Sequence, residues 1–183
     1  MKIIATKIEG IFEIVPRVHG DNRGWFIESY SKQSLSQHGL EYTFIQDNQS
    51  FSNQKGTIRG LHFQLEPKAQ TKLVRCTKGQ ILDVAVDIRK GSPTYKEWVA
   101  VELTEWNKKQ LLIPKGFAHG YVTLCDNTEV QYKVDEYYSP ENDRSIRFDD
   151  PEFGIDWGIE NPILSDKDLR APLLSESDAN FIY

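Results

Sequence analysis

A mostly β chain, folded as an antiparallel sandwich or barrel with a few short helices, is what this sequence predicts. Apolar residues recur at every second position in several short segments, turn-forming residues fall between those segments at regular spacing, and helical periodicity is scarce. The clearest segment is 80–89. There Leu82, Val84, Val86 and Ile88 share one face and Asp83, Ala85 and Asp87 the other, the pattern of a half-buried strand. Residues 129–134 repeat it and put Tyr132 on the same face as Val130 and Val134.

In chain order, strands are expected over 11–15 and 25–30, separated by the turn signal Gly20-Asp21-Asn22. A helix follows over about 31–38, with Ser31 placed to cap its start and Gly39 its end. Strands resume over 42–49 and, after Lys55-Gly56, over 57–64 and 71–77. Lys78-Gly79 separates these from 80–89, and Gly91-Ser92-Pro93 separates that strand from 97–103. Strands 110–113 and 117–124 come next, then Cys125-Asp126-Asn127 and 129–134. The Pro- and Asp-rich stretch 139–162 reads as a long loop wrapping the barrel, with short helical pieces beyond it. No repeat, low-complexity tract or linker interrupts the chain, so residues 1–183 are expected to form one domain.

The 183 residues are 39% hydrophobic and 27% charged, which excludes the disordered regime. No apolar run approaches the roughly 18 residues of a membrane span, and charge interrupts the first residues too early for a secretory apolar core. Cys76 and Cys125 have no CxxC partner, so neither a disulfide framework nor a zinc ribbon is indicated and a cytoplasmic location is expected. The net charge of −5 is uneven: residues 1–125 carry +5 and residues 126–183 carry −10. That acidic balance excludes nucleic-acid backbone binding as the main activity, while leaving room for a compact anionic ligand in the positive part.

Of four histidines, His19 and His38 sit in polar, turn-like stretches and are expected to face solvent. His62, in Arg59-Gly60-Leu61-His62, and His119, in Phe117-Ala118-His119-Gly120, each stand close to a glycine in a strand context. Strand glycines mark bulges or close backbone approaches, so these two histidines point to a shared pocket. Strict alternation puts Arg59 and His62 on opposite faces; a bulge at Gly60 would bring both inward. Pro114, Gly116 and His119 form the second half of the metal-binding cupin signature. The first half is missing, because Phe63 and Gln64 follow His62 without a second histidine or a suitably spaced glutamate, and no metal site is expected. No glycine-rich nucleotide loop or activated nucleophile is recognisable either. What remains is an acid–base set of His62, Tyr132, Lys72, arginine and carboxylate.

Several motifs in order resemble the dTDP-4-dehydrorhamnose 3,5-epimerase family along nearly the whole chain. They are residues 20–28, 44–48, 55–64, 72–75, 83–89, 92–94, 114–120, 131–133, 137–140 and 163–168. The resemblance implies a jelly-roll (cupin-like) barrel and a homodimer whose N-terminal strands exchange between subunits. It implies inversion of dTDP-4-dehydro-6-deoxy-D-glucose at C3 and C5 without metal or other cofactor, and no nucleic-acid or membrane partner. It further implies His62 as the base, Asp168 as its carboxylate partner, Tyr132 as the acid on the opposite face and Lys72 at the developing oxyanion. Arg59, Lys72 and His119 would line the sugar and diphosphate region. Arg23, Glu28, Gln46 and Asn48 would contact the nucleotide, Arg23 and Glu28 in a neighbouring subunit's site, and Asp143 and Lys167 would complete the substrate-binding set.

The sequence departs from the family at three places: Phe148 stands where tryptophan is usual, Asp143 where glutamate is common, and Gly158 where proline follows the tryptophan. These bear on nucleotide contacts rather than on His62, Lys72 or Tyr132. The open alternatives are a single-site epimerase or ketoisomerase on the same sugar, a metal-dependent cupin enzyme, and a non-catalytic sugar-binding barrel.

Overall fold

The computed structural model describes residues 1–183. Eleven strands form two antiparallel sheets. The six-stranded sheet runs, edge to edge, β1 (Lys2–Ala5), β2 (Phe12–Val15), β10 (Gln110–Ile113), β7 (Lys72–Lys78), β12 (Thr128–Val134) and β5 (Gln46–Ser52). The five-stranded sheet runs β13 (Asp143–Ser145), β6 (Ile58–Gln64), β11 (Phe117–Thr123), β8 (Gln80–Asp87) and β9 (Trp98–Thr104). A separate hairpin, β3 (Val18–Asp21) with β4 (Gly24–Ile27), pairs only with itself. The helices are α1 (Lys32–Ser36) and α2 (Asp166–Leu169), with one 3-10 turn, Leu174–Glu176. No helix is long and apolar enough to cross a membrane.

Side-chain alternation sorts the strands into layers. Between the sheets lie Val74 and Cys76 of β7, Ile81 and Ala85 of β8, Phe117 and Tyr121 of β11 and Val130 of β12. The opposite face of the five-stranded sheet, with Leu61, Phe63, Val84, Val86, Ala118 and Val122, is covered by the C-terminal segment through Ile146, Phe153, Trp157, Leu174 and Phe181. On the outer face of the six-stranded sheet, Ile14, Leu73 and Leu112 pack against Leu35 of α1 and Leu40.

This third layer corrects the half-buried reading of 80–89. Both faces of β8 are buried, and its aspartates point into the sandwich rather than to water, because the wrap covers the apolar face. The expected loop 139–162 contains β13, which pairs with β6. Expected strand 42–49 begins only at Gln46, where pairing to Val134 of β12 starts. The alternating Tyr42 and Phe44 instead stack on one another in irregular chain, and Phe44 meets the Tyr30 ring edge to face. Lys2–Ala5 lacks polar alternation and escaped notice, as did β3, whose end coincides with the turn signal at Gly20-Asp21-Asn22. The α1 cap is as expected, with Ser31 Oγ accepting from the Ser34 N–H, and Gly39 adopts a φ of +78° beyond the helix.

The bulge at Gly60 determines what the site contains. Across β6 and β11, His62 pairs with His119 and Arg59 with Tyr121, so Gly60 and Leu61 together oppose Gly120. Arg59 and His62 thereby both face inward, while Leu61 between them packs outward under the wrap. The strands meet glycine to glycine: a Cβ on Gly60 would lie 2.4 Å from Gly120 Cα, and one on Gly120 would lie 2.9 Å from Arg59 O. No other residue fits either position.

Candidate active site

Inner-face residues of both sheets leave a cavity of about 520 Å³, within the range of small-molecule sites. Its lining includes Arg59 and His62 from β6, Lys72 from β7, His119 and Tyr121 from β11, and Tyr132 from β12. The base and acid expected from the sequence therefore share one void.

His62 Nε2 lies 2.6 Å from Asp168 Oδ1, although the two are 106 positions apart. Backbone pairing at the start of β6 brings them together. Ile58 N–H donates to Ile163 O at 2.9 Å and Ile163 N–H donates to Gly56 O at 2.8 Å, which fixes the chain just before α2. Ser165 then caps α2, its Oγ accepting from the Asp168 N–H at 3.1 Å. Burial acts to raise the Asp168 carboxyl, but the His62 imidazole, the Ser165 hydroxyl and the Lys167 ammonium outweigh it and hold the group below the usual carboxylate range. An ionised Asp168 accepting from Nε2–H leaves His62 Nδ1, which has no protein partner, as the basic nitrogen.

Lys72 follows the inward parity of Val74 and Cys76, and its Nζ donates to His62 O at 3.3 Å. Burial pushes the ammonium down to about 8, against the opposing charges of Asp83 and Asp143; Lys167 adds to the lowering. The Tyr132 phenol is raised by burial, with Arg59 countering and Asp143 adding, so it keeps its proton at neutral pH. His119 is buried, its Nε2 2.8 Å from Asp83 Oδ1, and burial lowers it despite that carboxylate. At the mouth, Lys167 Nζ pairs with Asp143 Oδ2 at 2.5 Å, and Tyr138 donates to the same oxygen at 3.3 Å.

Of the twelve residues expected at the site, eight line this cavity: Arg59, His62, Lys72, His119, Tyr132, Asp143, Lys167 and Asp168. Gln46 and Asn48, hydrogen-bonded to each other at 2.8 Å, extend the inner-face row of Ser50 beyond the lining. Arg23 and Glu28 do not reach their own chain's cavity. Arg23 pairs with Asp21 on the exposed hairpin, and Glu28 accepts from Ser34 Oγ at 3.2 Å. The sequence reading missed Tyr121 and Ser50, whose hydroxyls lie 2.7 Å apart, and gave Asp83 no role. The signal was parity: Tyr121 is two residues from His119, and Ser50 two from Asn48.

The sequence profile described as dTDP-4-dehydrorhamnose 3,5-epimerase matches residues 5–176. The chain belongs to that family. It is 50% identical over 179 residues to the dTDP-4-dehydrorhamnose 3,5-epimerase of Salmonella typhimurium, covering 97% of each chain. The crystal structure of the Bacillus anthracis dTDP-4-dehydrorhamnose 3,5-epimerase, with TDP and PPi bound, superposes with a TM-score of 0.92 at 52% identity, covering 94% of this chain and 98% of that one. The Legionella pneumophila dTDP-6-deoxy-D-glucose-3,5-epimerase, in complex with dTDP-4-keto-L-rhamnose, gives 0.92 at 45% identity, covering 97% and 94%. As a member of the family this chain is an isomerase, an epimerase of dTDP-sugars with the expected jelly-roll architecture.

Proposed function

We propose that the cavity inverts C3 and C5 of dTDP-4-dehydro-6-deoxy-D-glucose by proton transfer, with His62 and Tyr132 as the transferring groups. Both carbons flank the C4 ketone, which acidifies their C–H bonds. His62 Nδ1 takes the proton, the C–H electron pair moves into a C3–C4 or C4–C5 double bond, and the carbonyl pair settles on O4. Tyr132 then delivers its phenolic proton to the opposite face of the carbon as the carbonyl reforms. Solvent resets the imidazolium and the phenolate. Lys72 stabilises the enolate oxygen, a contribution of about 2.7–4 kcal/mol for one well-placed donor. Asp168 fixes the imidazole tautomer and balances its charge. Arg59 and Lys167 supply cations for the diphosphate, with His119 and Asp143 completing the pocket around the sugar.

The observation that carries this reading is the shared cavity of His62, on its own carboxylate, and Tyr132. The Legionella relative's bound dTDP-4-keto-L-rhamnose supports double inversion on the same scaffold. Turnover in deuterated water tests it. Deuterium is expected at both C3 and C5; label at one carbon only would replace the proposal with single-site epimerisation, and label at neither would remove it.

The active unit in this reading is a cytoplasmic homodimer that exchanges its N-terminal hairpins. The β3–β4 hairpin supports it, because that hairpin joins neither sheet of its own chain and exposes Trp25 and Phe26 next to Arg23. Two free cysteines fit a reducing compartment. Arg23, Glu28, Gln46 and Asn48 are the nucleotide contacts, the first two reaching the partner's cavity. Co-expressed Arg23→Ala and His62→Ala chains then regain activity that neither variant has alone, since one hybrid site contains both native residues. No regain in isolated heterodimers would place Arg23 outside the partner's site.

A further inference from the structure

Behind His119 lies a charged group that this reaction scheme does not use. Asp83 of β8 is fully buried; its Oδ1 accepts from His119, and its Oδ2 has no hydrogen-bond partner. A carboxylate oxygen stranded in a dry interior is costly and persists where an opposite charge or a function compensates. The titratable groups around it are Lys72 of β7, His119 and Tyr121 of β11, and the Cys76 thiol of β7. Only Lys72 among them is a cation without a carboxylate of its own.

We propose that Asp83 is a positioning residue for the epimerisation: its buried carboxylate is the counter-charge that keeps Lys72 an ammonium at the cavity, where O4 of the substrate gains negative charge. The proposal rests on the acid–base reading above. Lys72 has one neutral hydrogen-bond acceptor, His62 O, for three N–H groups, so hydrogen bonding alone does not offset its burial. Lys72 of β7 and Asp83 of β8 both lie on the inner faces of the two sheets, and Lys72 lines the cavity together with Asp143, Lys167 and His119; Asp83 and Asp143 favour the ammonium, while Lys167 and His119 act against it. Asp143 is already paired with Lys167, and Lys167 repels the ammonium, which leaves Asp83 as the principal favourable charge. A neutral amine at this position would lose the charge that stabilises the enolate.

The experiment titrates Lys72 directly. In protein carrying 13Cε-labelled lysine, the resonance absent from Lys72→Met identifies the residue. Its midpoint is expected near 8 in the native protein and about one unit or more lower in Asp83→Asn. The alkaline limb of kcat/KM, falling as pH rises through about 8, should move down by the same amount. A purely structural defect would instead lower activity at every pH and leave the limb in place. An unmoved Lys72 midpoint in Asp83→Asn overturns the proposal. A limb that persists unchanged in Lys72→Met overturns the oxyanion role of Lys72, and the resonance midpoint still decides separately whether Asp83 is its counter-charge. If Asp83→Asn is too unstable to titrate, Asp83→Asn/Lys72→Met is expected to melt above the single variant at pH 7, because it removes a buried amine that has lost its counter-charge. An equal or lower Tm overturns the proposal.

Discussion

His62→Ala is expected to lower kcat by roughly 10²–10⁴-fold, the contribution of a positioned general base, and to abolish deuterium incorporation at both C3 and C5. One imidazole serves both carbons in this mechanism, because both share the C4 carbonyl and reprotonation of each comes from Tyr132. Loss of exchange at the two positions should therefore be parallel. The fold should survive. His62 is a partly exposed residue on a strand whose outward neighbours, Leu61 and Phe63, stay packed. The stability cost is that of leaving the Asp168 carboxylate, itself buried, without its imidazole, about 1–3 kcal/mol. Thermal melting and isotope exchange on the same preparation separate the two effects. Exchange that continues at either carbon would mean that another base serves it, and the nearest candidate is His119, directly across the β6–β11 pair.

Gly60→Ala carries the largest expected loss of stability, roughly 2–6 kcal/mol, combining about 1–3 kcal/mol for a backbone conformation disfavoured by a side chain with about 1–3 kcal/mol for overpacking. Its φ is +141°, and the new methyl carbon would sit 2.4 Å from Gly120 Cα, 2.9 Å from His119 O and 3.2 Å from Gly120 N. All three are backbone atoms, so no rotamer change relieves the clash and the strands themselves must part. For a chain of this size the Tm should fall by roughly 10 °C or more. Activity should fall with it, because the bulge sets the inward aim of Arg59 and His62. Gly154→Ala is the control: its φ of +58° is also positive, but its methyl would meet nothing within 4 Å, so a loss of about 1 kcal/mol is expected. Equal losses in the two variants would show that backbone freedom, and not the closeness of β6 and β11, makes Gly60 necessary.

The bulge also shows how much of the site is readable in advance. Gly60 and Gly120 stand out as strand glycines beside histidines, and the need for both Arg59 and His62 to face inward locates the irregularity at Gly60. That Gly120 is the other half of the contact follows only from the antiparallel register of β6 against β11. Strand β8 teaches the opposite lesson. Its alternation is correct residue by residue, yet the face carrying Asp83 and Asp87 is the interior one, because residues 146–181 close over the apolar face. Periodicity reports that a strand has two unlike faces; it does not report which will be dry when both are covered. Tyr42 and Phe44 mislead in the same way: their alternation is real, but it serves a cluster outside the sheet.

The sequence by itself determined the β architecture, the shared strand face of Val130, Tyr132 and Val134, and the chemical kinds of side chain available for the reaction. These are local properties, fixed by a two-residue period and by which residues disrupt it. No residue pattern along the chain, apart from the family resemblance that implied Asp168 for His62, decided which carboxylate each imidazole receives; the tertiary structure does, with Asp168 for His62, delivered by the Ile163 bridge to the start of β6, and Asp83 for His119, through the neighbouring strand. Residues 106 and 36 positions apart meet because strand pairing and the C-terminal wrap close the chain on itself. No periodicity within a segment encodes the partner against which that segment will be packed.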